Sequence, residues 1–211
     1  MIVLDDALAV MRDMATDSVD LVLTDPPYGK GRDRGTNGFG AARVRRYDGK
    51  PRWDTHTPAP EVFAEILRVG RNAVIFGGNH FAHMLPPSNH WIVWDKVGAV
   101  PFTNPFADCE LVWTTFRRPI RKLTFIQQGF IRDSKDARYH PTQKPSELVA
   151  QLVAEYTEPG ASVFDPFMGS GTTAVACART GRSVSGCEID PEYHAIAQQR
   201  YADALKDGSH D

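Results

Sequence analysis

Residues 162–173 read Ser162-Val163-Phe164-Asp165-Pro166-Phe167-Met168-Gly169-Ser170-Gly171-Thr172-Thr173. A short β-branched and aromatic run ends on a carboxylate and a proline. A glycine-bearing loop follows, and the Ala-rich stretch 171–179 then reads as a helix. Gly169 and Gly171 let the backbone turn sharply and come close to a ligand with no Cβ in the way. The loop lacks the third glycine of the dinucleotide fingerprint and the Gly-Lys-Ser/Thr of a P-loop, and a G-x-G alone can simply close a strand–helix turn. The next apolar run, 183–186, leads into Cys187-Glu188-Ile189-Asp190, which puts Glu188 23 positions beyond Asp165. That is about where an acidic group meets ribose hydroxyls in a nucleoside site. A strand–loop–helix–strand unit of this kind points to an α/β fold.

Working outward, further strand-like runs occupy 2–4, 19–24, 73–76, 91–94 and 110–115. Helical periodicity appears at 60–69, where Val62, Phe63, Ile66, Leu67 and Val69 share a face, and at 146–156, where Leu148, Val149, Leu152, Val153 and Tyr156 do. A last helix spans 190–205, with Asp190 as N-cap and Pro191 at the first helical position. Strands alternating with helices imply a mostly parallel sheet covered on both faces. The chain of 211 residues, 42% hydrophobic, suits one domain spanning 1–211. No run approaches the roughly 20 apolar residues of a membrane span, and Asp5 and Asp6 interrupt the N-terminus too early for a signal peptide. Cys109, Cys177 and Cys187 are odd in number without C-x-x-C spacing, which argues against a disulfide framework or a zinc site and fits a reducing cytoplasm. No His/Asp/Glu cluster has metal-ligand spacing, so no metal is expected.

The net charge of -2 conceals two basic segments: 29–52 carries a net +6 and 117–138 a net +5, so the remainder sums to -13. Such segments suit phosphate groups, although solvated loops would read the same way. A second motif, Thr24-Asp25-Pro26-Pro27-Tyr28-Gly29, directly follows the run 19–23. In open α/β sheets ligands sit beyond the carboxyl ends of strands. Two prolines hold the backbone extended and leave their carbonyls free as acceptors. A carboxylate beside a rigid carbonyl can accept both hydrogens of an amino group and aim its lone pair at an electrophile, while Tyr28 offers a flat face for a base. A tight turn containing Asp-Pro-Pro is the plainer reading. Acidic residues around the glycine loop also suit a cationic sulfonium better than a pyrophosphate.

Asp-Pro-Pro-Tyr followed far downstream by Asp-Pro-Phe-Met-Gly-Ser-Gly-Thr-Thr resembles the N6-adenine/N4-cytosine DNA methyltransferase family, in the permuted order of its β-type members. His140-Pro141-Thr142-Gln143-Lys144-Pro145 is similar to the family segment that helps bind the methionine end of the cofactor, and Leu4-Asp5-Asp6-Ala7-Leu8 to the family's opening Gly-Asp-x-Leu, with Asp5 in place of the usual glycine. The resemblance implies a Rossmann-like S-adenosylmethionine-dependent methyltransferase fold. Its sheet is seven-stranded and circularly permuted, with spatial order 3-2-1-4-5-7-6 and strands met along the chain as 3, 4, 5, 6, 7, 1, 2. It implies Asp25, Pro26, Pro27 and Tyr28 as catalytic residues, with a target adenine flipped out of duplex DNA. It implies S-adenosylmethionine held by Asp6, His140, Thr142, Lys144, Asp165, Phe167, Gly169, Ser170, Gly171, Thr172 and Glu188.

Within that resemblance the basic loop 29–57 becomes a mobile element over the target site, and the short insertion 117–139 the DNA reader. Arg43, Arg45, Arg46, Arg117, Arg118 and Lys122 are the candidate DNA contacts. Asp25 favours adenine, since cytosine-N4 members more often carry Ser there; N4-cytosine methylation is the alternative. C5-cytosine chemistry is disfavoured because no cysteine follows a proline. A non-catalytic DNA-binding regulatory subunit is the rival from another class, opposed by the intact Asp25–Tyr28 and Gly169–Gly171 sets. A small, phage-like or stand-alone modification enzyme, monomer or homodimer, is the expectation.

Overall fold

The computed structural model describes residues 1–29, 56–99, 107–128, 131–134, 137, 139 and 142–207. Within these, the strands are β1 (Ile2–Leu4), β2 (Leu21–Thr24), β3 (Ala73–Phe76), β4 (Trp91–Asp95), β5 (Cys109–Thr114), β6 (Arg121–Thr124), β7 (Gln127–Gln128), β8 (Ile131–Arg132), β9 (Ser162–Asp165) and β10 (Ser183–Glu188). The α-helices are α1 (Ala7–Arg12), α2 (Pro60–Val69), α3 (Ser146–Tyr156), α4 (Thr172–Thr180) and α5 (Pro191–Asp207). The main sheet runs β1-β10-β9-β2-β3-β5-β4-β6, and β7 pairs with β8 separately. Its first seven strands reproduce the expected order, with β5 antiparallel to both neighbours. The correction is an eighth strand: β6 adds to β4 in parallel at the edge, within the segment 117–139 assigned to DNA reading.

Side-chain alternation divides the core in two. Leu21, Leu23, Val74, Phe76, Ile92, Trp94 and Val163 face α3 and α4, while Val22, Ala73, Ile75 and Phe164 face α1 and α2. Along α2, buried Val62, Phe63, Ile66 and Val69 form the apolar stripe that its periodicity indicated. Helix α1 was not anticipated, because six residues are too few to display a period. Its marker is local: Asp6 Oδ1 accepts from Leu8 N at 3.0 Å and Ala9 N at 3.1 Å, an N-cap. At α5, Asp190 caps as expected, accepting from Glu192 N at 2.8 Å. The predicted strand 19–24 is shorter, since Val19 makes only an isolated bridge to Gly70. Instead Asp20 latches β2 to β9, its Oδ2 accepting from Ser162 N and Oγ at 2.9 and 2.8 Å.

Two consequences bear on the site. Strands β9 and β2 are neighbours at the centre of the sheet, so the loops after Asp165 and Thr24 emerge side by side at its carboxyl end. Because β5 runs the other way, it presents its beginning, Cys109 and Glu110, at that same end.

Candidate active site

Thr24 and Asp165 tie the two loops together. Thr24 Oγ1 donates to Asp165 Oδ1 at 2.8 Å, the Phe167 amide to the same oxygen at 3.0 Å, and Thr173 Oγ1 to Oδ2 at 2.6 Å. Asp165 is buried, which pushes its carboxyl up to about 6 against the opposing hydrogen bonds from Thr173, Thr24 and Phe167. Asp165, expected at the cofactor, also forms a bracket between the central strands and the glycine loop.

That loop is shaped by Gly169 and Gly171, both at positive φ. Gly171, at +85°, also lies against α5: a Cβ there would stand 2.8 Å from the Ala197 Cα. Ser170 donates to Gln143 Oε1 at 3.2 Å, and Thr172 Oγ1 to the Lys144 carbonyl at 3.4 Å, so the loop docks on the segment ending at Pro145. Glu188 closes the far side, accepting from Gly169 N at 2.7 Å and Asp190 N at 2.9 Å. Burial raises its carboxyl, and these backbone donors work against the rise.

A cleft of about 270 Å³ joins the motifs; Asp6, Ala7, Leu8, Pro27, Val62 and Phe167 line it together with residues 56–59. Among the described residues its lining contains one acid, Asp6, one imidazole, His56, and several apolar surfaces, but no Lys or Arg. That chemistry suits a cationic nucleoside. Thr142 is half-buried in the adjoining segment. His140, Arg43, Arg45, Arg46 and Trp53 lie outside the described residues.

In the loop after β2, Pro26 is buried and Pro27 half-buried. Tyr28 donates its hydroxyl to Asp25 Oδ1 at 2.5 Å, and its ring lies 4.8 Å from that of His80. The ring rests on Gly77: at φ +66°, a Cβ there would fall 2.3 Å from Tyr28 Cε1. Gly77, directly after β3, leaves the space for this seat. Gly77→Ala is expected to lose about 1–2 kcal/mol of stability through the left-handed backbone. By displacing Tyr28 it should slow turnover about 10- to 100-fold, read from a thermal melt and a rate assay.

Lys144, expected at the cofactor's methionine end, brings its ammonium to Asp25 Oδ2 at 2.5 Å and to Glu110 Oε2 at 3.5 Å. Glu110 in turn pairs with Lys96 at 3.1 Å. Burial raises the Asp25 carboxyl; Lys144 opposes the rise and Glu110 adds to it. Burial also works to raise Glu110, but Lys144 and Lys96 outweigh it and hold that carboxyl below its ordinary range. Burial would lower the Lys144 ammonium, yet its two carboxylate partners keep it raised and charged. Neither Glu110 nor Lys96 was singled out from sequence.

The candidate DNA contacts divide. Arg117 and Arg118 follow the carboxyl end of the antiparallel β5, so they lie at the opposite end of the sheet from Asp25. Arg118 stacks there over Phe116 and Tyr156 at 5.4 and 5.2 Å. Lys122, on β6, pairs with Asp95 at 2.8 Å while its side chain stays 65% exposed. Among the described residues no His/Cys/Asp/Glu group could hold a metal ion, and no helix is long and apolar enough to cross a membrane.

The N6/N4 DNA methylase family model matches residues 86–199, just over half of the chain. The chain belongs to that family. It is 29% identical over 208 residues to the putative methylase YubD of Escherichia coli (strain K12), covering 93% of this chain and 88% of that protein. In fold it is similar to the complex of M1.HpyAVI with S-adenosylmethionine, with a TM-score of 0.63 at 21% identity, over 95% of this chain and 98% of that one. It is also similar to PvuII DNA methyltransferase, described as cytosine-N4-specific, with a TM-score of 0.62 at 17% identity over 97% and 90% of the two chains. This chain is thus a DNA methyltransferase of the N6-adenine/N4-cytosine family.

Proposed function

We propose that the protein transfers a methyl group from S-adenosylmethionine to the exocyclic N6 of adenine in DNA. The observation that carries this reading is the pairing of Tyr28 with Asp25 beside a cleft lined by Asp6, Pro27 and Phe167. The cofactor fits the residues present: among the described residues the cleft offers apolar walls and one carboxylate, Asp6, with no Lys or Arg, and Glu188 stands at the end of β10 for ribose hydroxyls. Asp6, Phe167, Gly169, Ser170, Gly171 and Glu188 would hold it, with Thr142 and His140 from the neighbouring segment. When bound, S-adenosylmethionine supplies an electrophilic methyl carbon.

The protein's part is positional and electrostatic. Asp25 and the Pro26 carbonyl accept the two amino hydrogens, drawing the nitrogen lone pair out of the ring plane, and Tyr28 stacks on the base. The base must leave the duplex stack to reach them, at a cost of a few kcal/mol. As the nitrogen gains positive charge, ionised Asp25 stabilises it and stands within reach of the proton it sheds. Adenine is preferred to cytosine because residue 25 is Asp rather than Ser. Lys122 and the arginines of 43–46 remain the proposed phosphate contacts. The experiment is expression in a host lacking adenine and cytosine methylation, followed by modification-sensitive sequencing. N6-methyladenine at a defined site is the expected result, and N4-methylcytosine alone would overturn the base assignment.

A further inference from the structure

The Asp25 carboxylate is fully engaged in a way that conflicts with the work proposed for it. Tyr28 donates to Oδ1 and Lys144 to Oδ2, each at 2.5 Å. An amino group that needs Asp25 must compete with an ammonium, and a fixed positive charge there would oppose the charge building on the attacking nitrogen. Left without Lys144, however, a largely desolvated Asp25 would be an unpaired anion in the empty pocket. One cation has to be present before the base arrives and withdrawn afterwards.

A place for it to go exists. Glu110 Oε1 is already held by Lys96 at 3.1 Å, but Oε2 is buried without a hydrogen-bond donor and lies 3.5 Å from the Lys144 ammonium. Lys144 also sits 5.2 Å from the Phe76 ring centre and 5.5 Å from that of Tyr28, surfaces that accommodate a cation during a short displacement. We propose that Glu110 is a positioning residue that takes over Lys144 when the target amino group enters, so that the ammonium exchanges from Asp25 Oδ2 to Glu110 Oε2. The inference rests on the reading of Asp25 as acceptor of the amino hydrogens. The exchange leaves Asp25 ionised, frees Oδ2 for the substrate N–H and fills the vacant Glu110 acceptor. No proton or bond is transferred among the three side chains.

The test is the pH profile of single-turnover methylation of duplex DNA by wild type, Glu110→Gln and Lys144→Met. The charged or titratable groups facing Asp25 are Tyr28, Lys144, Glu110 and Asp165, with His80 behind Tyr28 and Lys96 behind Glu110. Glu110→Gln keeps the shape but leaves Lys144 no second seat. Its plateau rate should fall about 10-fold, and its acid limb should move to lower pH, because a negative neighbour of Asp25 is gone. Lys144→Met removes the cation, so its acid limb should move to higher pH. Cofactor affinity, read by calorimetry, should stay unchanged in Glu110→Gln. A purely structural role predicts no opposed movement of the two limbs. A wild-type plateau and limb in Glu110→Gln, or no alkaline movement in Lys144→Met, overturns the exchange. If Lys144→Met does not fold, Glu110→Gln alone decides. Failure of the underlying reading looks different: wild type then yields no methylated base, or Asp25→Asn keeps the wild-type rate.

Discussion

Asp25→Ala should lose methyl transfer by about 10²–10³-fold or more while retaining S-adenosylmethionine, since it removes a preorganised acceptor aimed at the reacting nitrogen. The loss should fall on the chemical step, because the cleft walls at Asp6 and Phe167 do not depend on the Asp25 carboxylate. Single-turnover rates set against calorimetric cofactor affinity separate these effects. A variant that also failed to bind cofactor would mean that Asp25 holds the site together. Undiminished turnover would remove it from the chemistry.

Asp165→Ala is the second large effect, and it should appear in stability. The carboxylate accepts from Thr24 Oγ1, Phe167 N and Thr173 Oγ1 inside the core. Truncation strands three buried donors at about 1–3 kcal/mol each, partly relieved by hydroxyl rotation, for a net loss of about 3–5 kcal/mol. That is a large share of the roughly 5–15 kcal/mol that holds a typical domain folded. Asp165→Asn keeps the shape and should lose far less.

The same residue leaves a pH signature. Its folded carboxyl is raised to about 6 from an ordinary 3.8, so the folded state binds more protons between those values. Stability from this group therefore rises as pH falls through 6 toward 3.8. Asp95 acts in the opposite sense: Lys122 and the Gly98 and Val97 amides depress it, so its contribution is intact above 3.8 and is lost as pH falls through its lowered value. Denaturant titrations should show a gain on mild acidification that Asp165→Asn reduces, the raised Asp25 and Glu188 carboxyls supplying the remainder, and a loss at lower pH that it preserves.

Much of this was legible because it is local. The catalytic and glycine loops announce themselves by residue type and spacing, and α2 and α3 begin and end where their periodicity places them. The strand order came through resemblance, since alternation alone says which residues are buried and not which strands adjoin. What escaped depends on direction and distance. Glu110 reads as the polar start of a strand, and only the antiparallel insertion of β5 brings it to the carboxyl end of the sheet. The same reversal carries Arg117 and Arg118 away from that end, although their charge resembled that of a DNA reader. Lys144 was assigned by its motif, but its partner lies 119 residues away in sequence. The position of Asp165 before the glycine loop suggests a ligand, but its bracing of that loop through three neighbouring donors shows only in the fold.

The most direct test of the central claim is transfer of a labelled methyl group from S-adenosylmethionine to duplex DNA by the purified protein, with nucleosides separated and identified by mass. The account predicts label in N6-methyladenine, lost in Asp25→Ala. Cofactor bound but no label in any DNA nucleoside, on duplex or single strands, would contradict it.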